Sequence, residues 1–136
     1  MEYKVLLVDD EEAFHTLIPN FLELAKEHKF TVYSALNGKE GIGMYSKLVN
    51  DGQKPDLVLM DLRMPVMDGV ESTKRIIEKD PKANIYLFTA YAKTQIERDA
   101  LKADAKGAIN KIADWNRKPM DIINIIPGAF ITESFI

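Results

Sequence analysis

Short apolar runs alternate along the chain with longer stretches in which apolar residues recur every three or four positions. A continuous apolar run is typical of a strand buried on both faces, and the wider spacing is typical of an amphipathic helix. The runs predict five strands, at residues 3–8, 30–35, 57–61, 84–89 and 107–111. Strands that alternate with helices predict an α/β fold, in which right-handed crossovers build a parallel sheet with helices on both faces.

Capping signals mark where several of the helices begin. A polar acceptor followed three positions later by Glu has the spacing of a capping box, and it occurs at Asn37 and Glu40, Asp68 and Glu71, and Thr94 and Glu97. The first helix, from Phe14 to about residue 25, contains Pro19 and should bend there, because proline lacks a backbone donor. A last helix is predicted within 116–126, ahead of Pro127.

Composition and charge exclude several classes of function. A chain of 136 residues with 46% hydrophobic content suits one globular domain. Its 18 basic and 21 acidic residues give a net charge of -3, which offers no broad surface for nucleic acid or anionic lipid. The absence of cysteine excludes disulfides, thiolate catalysis and thiolate zinc sites. The apolar run at 5–8 is too short for a signal or a membrane segment, so the cytoplasm is the expected location.

Polar residues stand at the ends of four predicted strands: Asp9 and Asp10, Asp61, Thr89, and Lys111. Each crossover returns the chain to the same edge of the sheet, so these side chains should gather there. In the doubly wound strand order 2-1-3-4-5, the first and third strands are neighbours, which places Asp9 and Asp10 opposite Asp61. Taken singly, each residue has a structural explanation as a helix cap, a strand-end hydroxyl or a surface charge. Together they favour a common site.

Three converging carboxylates with no imidazole or thiolate nearby are an oxygen ligand set suited to Mg²⁺. The chemistry that fits them is phosphoryl transfer, with Asp61 as the carboxylate nucleophile. Thr89 and Lys111 would then stabilise the charge on the phosphoryl oxygens.

The segments that carry these residues resemble the receiver domain of two-component response regulators, the CheY-like superfamily. The resemblance covers about residues 3–126, and its motifs are Val8-Asp9-Asp10, Asp61-Leu-Arg-Met-Pro-Val-Met-Asp-Gly69, Thr89-Ala90 and Lys111. It implies a flavodoxin-like (βα)₅ doubly wound parallel sheet. It also implies that Asp61 is the phosphoacceptor and that Asp9 and Asp10 hold Mg²⁺, Asp10 directly, with the Arg63 backbone carbonyl as a further ligand.

The same resemblance assigns the signalling roles. Thr89, followed by Ala90, is the switch hydroxyl, and Lys111 is the phosphate-binding amine. The implied phosphodonor is a phosphohistidine on a sensor histidine kinase or a histidine phosphotransfer protein, and a downstream effector protein reads the change. The chain would thus be a switch that assists its own phosphoryl transfer and hydrolysis rather than an enzyme, with no direct nucleic acid binding and no membrane insertion.

Three features depart from the family pattern. Ala108 stands where receivers usually carry an aromatic switch residue, and we expect Tyr91 to relay the signal instead. Ile112 replaces the proline that usually follows the lysine, so a trans peptide is expected there. Residues 1–128 are predicted to form the receiver domain with no output domain, and 129–136 a C-terminal tail. The tail packs on its own core, or it contacts a partner or a second copy in a homodimer.

Other function classes remain as alternatives. A pseudo-receiver that binds partners without phosphorylation is compatible with Ala108 and Ile112, although the acids are kept. An aspartyl-phosphate hydrolase would carry a second aspartate at position 63, where this chain has Arg63. A flavin-binding module would need a hydroxyl-rich phosphate loop in place of the acidic run 9–12. His15 and His28 have no metal-ligand spacing and are interpreted as helix-surface residues.

Overall fold

A computed structural model describes residues 2–90, 94–111 and 125. Strands and helices alternate throughout these residues, as the sequence predicts. In chain order they are β1 Glu2–Val8, α1 Phe14–Leu22, β2 Lys29–Ala35, α2 Gly38–Asn50, β3 Leu57–Met60, α3 Gly69–Lys79, β4 Ile85–Thr89, α4 Gln95–Lys102 and β5 Gly107–Asn110.

All five strands pair in parallel in the order β2-β1-β3-β4-β5, which confirms the predicted doubly wound topology. In the register between β1 and β3, Val8 pairs with Met60. The residues that follow these two, Asp9 and Asp61, therefore leave the sheet side by side at its carboxyl edge. This neighbourhood of two acids is what the strand order predicted.

The predicted helix caps are present, because each acceptor side chain receives the expected backbone N–H. Asn37 accepts from Glu40 at 2.9 Å, Asp68 accepts from Glu71 at 2.9 Å, and Thr94 accepts from Glu97 at 3.3 Å. Helix α1 differs: it starts after Ala13 with no side-chain cap.

Helix α1 also ends at Leu22, earlier than its apolar pattern indicates, and Pro19 lies inside it. Beyond the helix, the N–H of Leu24 donates to the carbonyl of Phe21 at 3.1 Å. This bond spans three residues instead of four, so the α-helical spacing is lost there. Leu24, which the apolar pattern assigned to the helix, is 64% exposed.

The core lies in two layers, one on each face of the sheet, because alternate strand residues point to opposite faces. Leu6 and Val8 of β1 belong to the layer under α2, α3 and α4, while Val5 and Leu7 belong to the layer under α1. Ile125 packs against the second layer, and its carbonyl accepts a 2.8 Å hydrogen bond from the side chain of Asn84.

The predicted last helix, the tail at 129–136, Ile112 and Tyr91 lie outside the described residues, apart from Ile125. Among the described helices, none combines the length and the apolar character needed to cross a membrane.

Candidate functional site

The carboxyl edge of the sheet brings together three charged side chains that are almost completely buried. Asp9, Asp61 and Lys111 are 0%, 4% and 4% exposed, and each follows the last residue of a strand, β1, β3 and β5 respectively. Burial of charged groups is costly unless they are paired, so the arrangement of these three decides what the site can do.

Asp61 is fixed by its backbone and by the loop that follows it. Its N–H donates to the carbonyl of Val8 at 2.9 Å, and its Oδ1 accepts from the Leu62 N–H at 2.9 Å. The N–H of Gly69 closes the loop by donating to the Leu62 carbonyl at 2.8 Å. Gly69 lies so close to the Asp61 carbonyl oxygen that a Cβ atom would collide with it, which explains why glycine begins α3.

Asp9 is held at its backbone and at its side chain. Its N–H donates to the carbonyl of Ala35 at 3.0 Å, and its Oδ1 accepts from the Glu11 N–H at 2.8 Å. The second carboxylate oxygen, Oδ2, is buried and has no hydrogen-bond donor aligned with it among the described residues. The nearest positive charge to that oxygen is the Lys111 ammonium, 2.8 Å away.

Lys111 supplies the positive charge that the carboxylates face. Its Nζ lies 2.8 Å from Asp9 Oδ2, 2.6 Å from Glu11 Oε1 and 3.5 Å from Asp61 Oδ2, and it donates to Asp9 Oδ1 at 3.0 Å. The ammonium also lies 4.6 Å from the centre of the Phe14 ring and 5.8 Å from that of Phe88, a distance at which the ring face attracts a cation.

These surroundings change the pKa values of the three groups. The pKa of Asp61 is raised to about 7, first by burial and then by the negative charge of Asp9, with Asp10 contributing in the same direction. Lys111 and the Leu62 N–H oppose this rise only in part. Burial alone would lower the pKa of Lys111, but its bonds to Asp9 and Glu11 and the charge of Asp61 raise it overall. Lys111 is therefore an ammonium ion at neutral pH.

A divalent cation fits this donor set. Carboxylate oxygens of Asp9, Glu11 and Asp61 all lie within 4.8 Å of one another. An all-oxygen cluster of this kind suits Mg²⁺, which binds one or two carboxylates and keeps several waters. Asp10 is exposed beside the cluster, and its charge acts on Asp61. Its role as the direct ligand stays a prediction.

Glu11 is a site residue that the sequence prediction missed. The acidic run 9–12 showed four acids, but nothing in its spacing distinguished Glu11 from Glu12. The distinguishing feature is the turn in which the Glu11 N–H donates to the Asp9 side chain, because that turn directs the Glu11 carboxylate back toward Lys111.

Of the other predicted residues, Thr89 and Ala90 lie at the same edge, whereas Ala108 lies inside β5. Thr89 is buried at the end of β4, and its carbonyl accepts from the Lys111 N–H at 3.0 Å. Ala90 follows it and is exposed, as is Arg63 in the loop after Asp61. Ala108 is exposed in the middle of β5, paired with Leu87.

Both histidines are half-buried: His15 lies on α1, whereas His28 lies beyond the end of that helix, which corrects its interpretation as a helix-surface residue. The ring of His15 lies 2.7 Å from the Asp9 carbonyl oxygen through Nε2 and 2.8 Å from Ser34 Oγ through Nδ1. The ring of His28 packs against Tyr3 and Phe30, with centroids 5.3 Å and 6.4 Å away.

Comparison with known proteins gives a consistent result. The response regulator receiver domain family matches residues 5–120. The chemotaxis protein CheY of Halobacterium salinarum is 39% identical over 111 residues, which cover 82% of this chain and 86% of that protein. Sporulation initiation phosphotransferase F of Bacillus subtilis is 30% identical over 125 residues, which cover 92% of this chain and 89% of that protein.

Solved structures confirm the flavodoxin-like fold. The CheX-CheY-BeF₃-Mg complex from Borrelia burgdorferi matches with a TM-score of 0.71 and 24% identity, over 98% of this chain and 90% of the matched chain. The receiver domain of the putative response regulator NarL from Mycobacterium tuberculosis matches with a TM-score of 0.76 and 20% identity, over 93% of this chain and 98% of that one. At these identities the likeness concerns the fold alone.

Proposed function

This chain belongs to the response regulator receiver domain family, and on that basis we propose that it is a phosphoacceptor switch of a two-component phosphorelay in the cytoplasm. Asp61 accepts a phosphoryl group, and a partner protein reads the resulting change. The observation that carries the proposal is the buried Asp61 carboxylate at the end of β3, between the acids of the β1–α1 loop and the Lys111 ammonium.

The residues of the site have complementary tasks in such a transfer. A carboxylate oxygen of Asp61 attacks phosphorus, a P–O bond forms as the P–N bond to the donor histidine breaks, and the leaving imidazole takes up a proton. Asp9, Asp10 and Asp61 with the Arg63 carbonyl would hold Mg²⁺, and Glu11 is close enough to join them. The bound ion supplies positive charge that neutralises the carboxylates and the phosphoryl oxygens.

Lys111 and Thr89 act on the phosphoryl group itself. Lys111 is positioned 3.5 Å from Asp61 Oδ2, so its ammonium can donate to an oxygen of a phosphoryl group attached there. The hydroxyl of Thr89, followed by Ala90, is the switch element at the end of the adjacent strand. This is stabilisation by preorganised charge, the main requirement of phosphoryl transfer.

The partners follow from the same chemistry. The donor is a sensor histidine kinase or a histidine phosphotransfer protein, and the recipient of the signal is an effector protein. Two relatives support protein partners of this kind, since one is named a phosphotransferase and one structure is a CheX–CheY complex. We do not propose an independent catalytic activity for the chain beyond its own phosphoryl transfer and hydrolysis.

Intact mass spectrometry tests the proposal. The chain is incubated with phosphoramidate, with and without Mg²⁺, and the expected result is a gain of one phosphoryl group that depends on the cation. Asp61→Asn should abolish the gain. Asp51→Asn, which changes an exposed acid at the end of α2, is the matched control and should be labelled normally. Labelling of the Asp61→Asn variant to the normal extent would contradict the assignment.

A pseudo-receiver is the second candidate, because Ala108 lacks the ring that usually links the site to the surface of β5. It predicts no mass gain with any donor. Binding to a partner would then be unaffected by Asp61→Asn.

A further inference from the structure

His15 connects the acidic loop to two different elements of the fold. It is the second residue of α1, and its ring lies between the Asp9 carbonyl oxygen, 2.7 Å from Nε2, and the Ser34 hydroxyl of β2, 2.8 Å from Nδ1. A carbonyl oxygen can only accept, so Nε2 carries the hydrogen and donates it to Asp9. In the neutral ring, Nδ1 then accepts from the Ser34 O–H, and both ring nitrogens are used.

The bond to Asp9 fixes the direction of the next residue. A peptide unit is planar, so the Asp9 carbonyl oxygen lies in one rigid plane with the nitrogen and Cα of Asp10. The N–H of Asp9 is already held by the Ala35 carbonyl at 3.0 Å. With the carbonyl held by His15 as well, the chain leaves Asp9 in one direction, which fixes the Cα atom from which the exposed side chain of Asp10 projects.

The usual alternative anchor is missing at this point of the chain. Helices α2, α3 and α4 begin with a side-chain cap that ties the preceding loop to the first turn. Helix α1 begins after Ala13 without one. The ring of His15 instead connects α1 to Asp9, at the start of the loop, and to Ser34 of the edge strand β2.

We infer that His15 is a positioning residue for the metal site: it orients the Asp9–Asp10 peptide and thereby sets the affinity for Mg²⁺. This inference rests on the proposed function, because it takes Asp9 and Asp10 as ligands of the ion. Groups that orient metal ligands typically change metal affinity 10- to 100-fold when they are removed, and His15 has this relation to Asp9.

Calorimetric titration of the full chain with Mg²⁺ tests it. We expect the Kd for Mg²⁺ to rise about tenfold in His15→Ala and in His15→Phe, which keeps the ring but removes both nitrogens. His15→Gln places an amide N–H near the Nε2 position and should restore most of the affinity. Ser34→Ala should weaken binding less than His15→Ala. Thr16→Ala, an exposed neighbour on α1, should leave the Kd unchanged.

A purely structural role makes different predictions. If His15 only stabilised α1, the Mg²⁺-free melting temperature would fall and His15→Gln would not rescue the Kd. If His15 is a positioning residue, its variants need a higher Mg²⁺ concentration for half-maximal labelling by phosphoramidate. The extent of labelling at saturating Mg²⁺ stays that of the unmodified chain. A Kd for His15→Phe within about twofold of that of the unmodified chain would overturn the inference. This test remains decisive if His15→Ala does not fold. Failure of the unmodified chain to bind Mg²⁺ would overturn the proposed function as well.

Discussion

Glu11 holds the ammonium group of Lys111 at 2.6 Å, closer than the 3.5 Å between that ammonium and the Asp61 carboxylate. The Glu11 side chain is 59% exposed, whereas that of Asp9, the other partner of Lys111, is completely buried. Of the two bonds, the one to Glu11 is therefore the less costly to break, because water can solvate the released carboxylate. In the proposed transfer, Lys111 would exchange this bond for one to the phosphoryl group.

Removal of the Glu11 contact should tighten the binding of a phosphoryl mimic. At saturating Mg²⁺, Glu11→Ala is expected to lower the Kd for beryllofluoride about threefold, which corresponds to an exposed ion pair of roughly 0.7 kcal/mol. Fluorescence or calorimetric titration measures the Kd. Glu11→Asp keeps the charge but shortens the side chain, so it should show part of the same gain.

The neighbouring acid provides the control for this experiment. Glu12→Ala removes the same charge one residue further along without a described contact to Lys111, and its Kd should stay unchanged. An equal gain in beryllofluoride affinity in Glu11→Ala and Glu12→Ala would show that the total negative charge of the loop governs anion binding, rather than the contact with Lys111.

The raised pKa of Asp61 makes stability depend on pH. The folded chain binds a proton on Asp61 below about pH 7, whereas the unfolded chain binds it only near the ordinary value of about 4. The folded state is thus favoured at low pH, and this contribution is lost as the pH rises through 7. In Mg²⁺-free buffer, the stability that Asp61→Asn gains over the unmodified chain should be larger at pH ~8 than at pH ~5 by about 2–3 kcal/mol, because the folded carboxyl ionises between these values. Denaturant unfolding at both values measures it, and an equal difference at both would contradict the shift.

Two glycines give a matched pair for the packing of the site. Gly69→Ala should destabilise the fold by roughly 3 kcal/mol or more, because the new methyl group would collide with the Asp61 carbonyl. Gly43→Ala introduces the same methyl into α2, where nothing lies within 4 Å of it. It should stabilise the fold by about 0.5–1 kcal/mol through helix propensity. Thermal unfolding of both variants distinguishes a local collision from a general intolerance of substitution.

Loss of Lys111 should make the folded state dependent on Mg²⁺. Lys111→Met keeps the apolar stem beside Phe14 but leaves the buried carboxylates without their cation, which typically costs about 3–5 kcal/mol. The loss should be largest above neutral pH, where Asp61 is charged. Millimolar Mg²⁺ should restore more stability to this variant than to the unmodified chain, as scanning calorimetry can measure. If Mg²⁺ stabilised both chains equally, Lys111 would not be the cation that compensates the charge of the buried carboxylates.

Signal output should involve the loop before α4. Ala108 has only a methyl group to respond when Thr89 moves, so we expect the Tyr91 to Gln95 segment to reorder on phosphorylation. Hydrogen exchange with and without beryllofluoride measures this. Protection changes confined to residues 107–111, with residues 90–95 unchanged, would contradict the prediction.

The sequence predicted the sheet and the position of the site because both depend on periodic features. Apolar runs identified the strands, and their alternation with helices predicted a parallel sheet. The doubly wound order 2-1-3-4-5 then placed Asp61 opposite Asp9. The caps at Asn37 and Asp68 were equally readable, since they act over three residues.

What the sequence could not predict depends on side-chain directions in one irregular loop. The bond from Lys111 to Glu11 joins residues 100 positions apart, and it exists because the loop turns at Glu11. The contact of His15 with the Asp9 carbonyl has the same origin, since it uses a backbone oxygen that carries no sequence signal. The early end of α1 at Leu22 follows from a local change in hydrogen bonding rather than from the apolar pattern.

Lys111 and Asp9, which meet at 2.8 Å, are 102 positions apart in the chain. Between them in the sheet lie β3 and β4, so the lysine reaches the acids only in a sheet that includes β4 and β5. A chain still emerging from the ribosome with β1 to β3 complete would carry the Asp61 carboxylate but not its cation. On the proposed function, such a chain would lack the ammonium group that stabilises the phosphoryl oxygens, and we expect it to accept a phosphoryl group less readily than the finished domain.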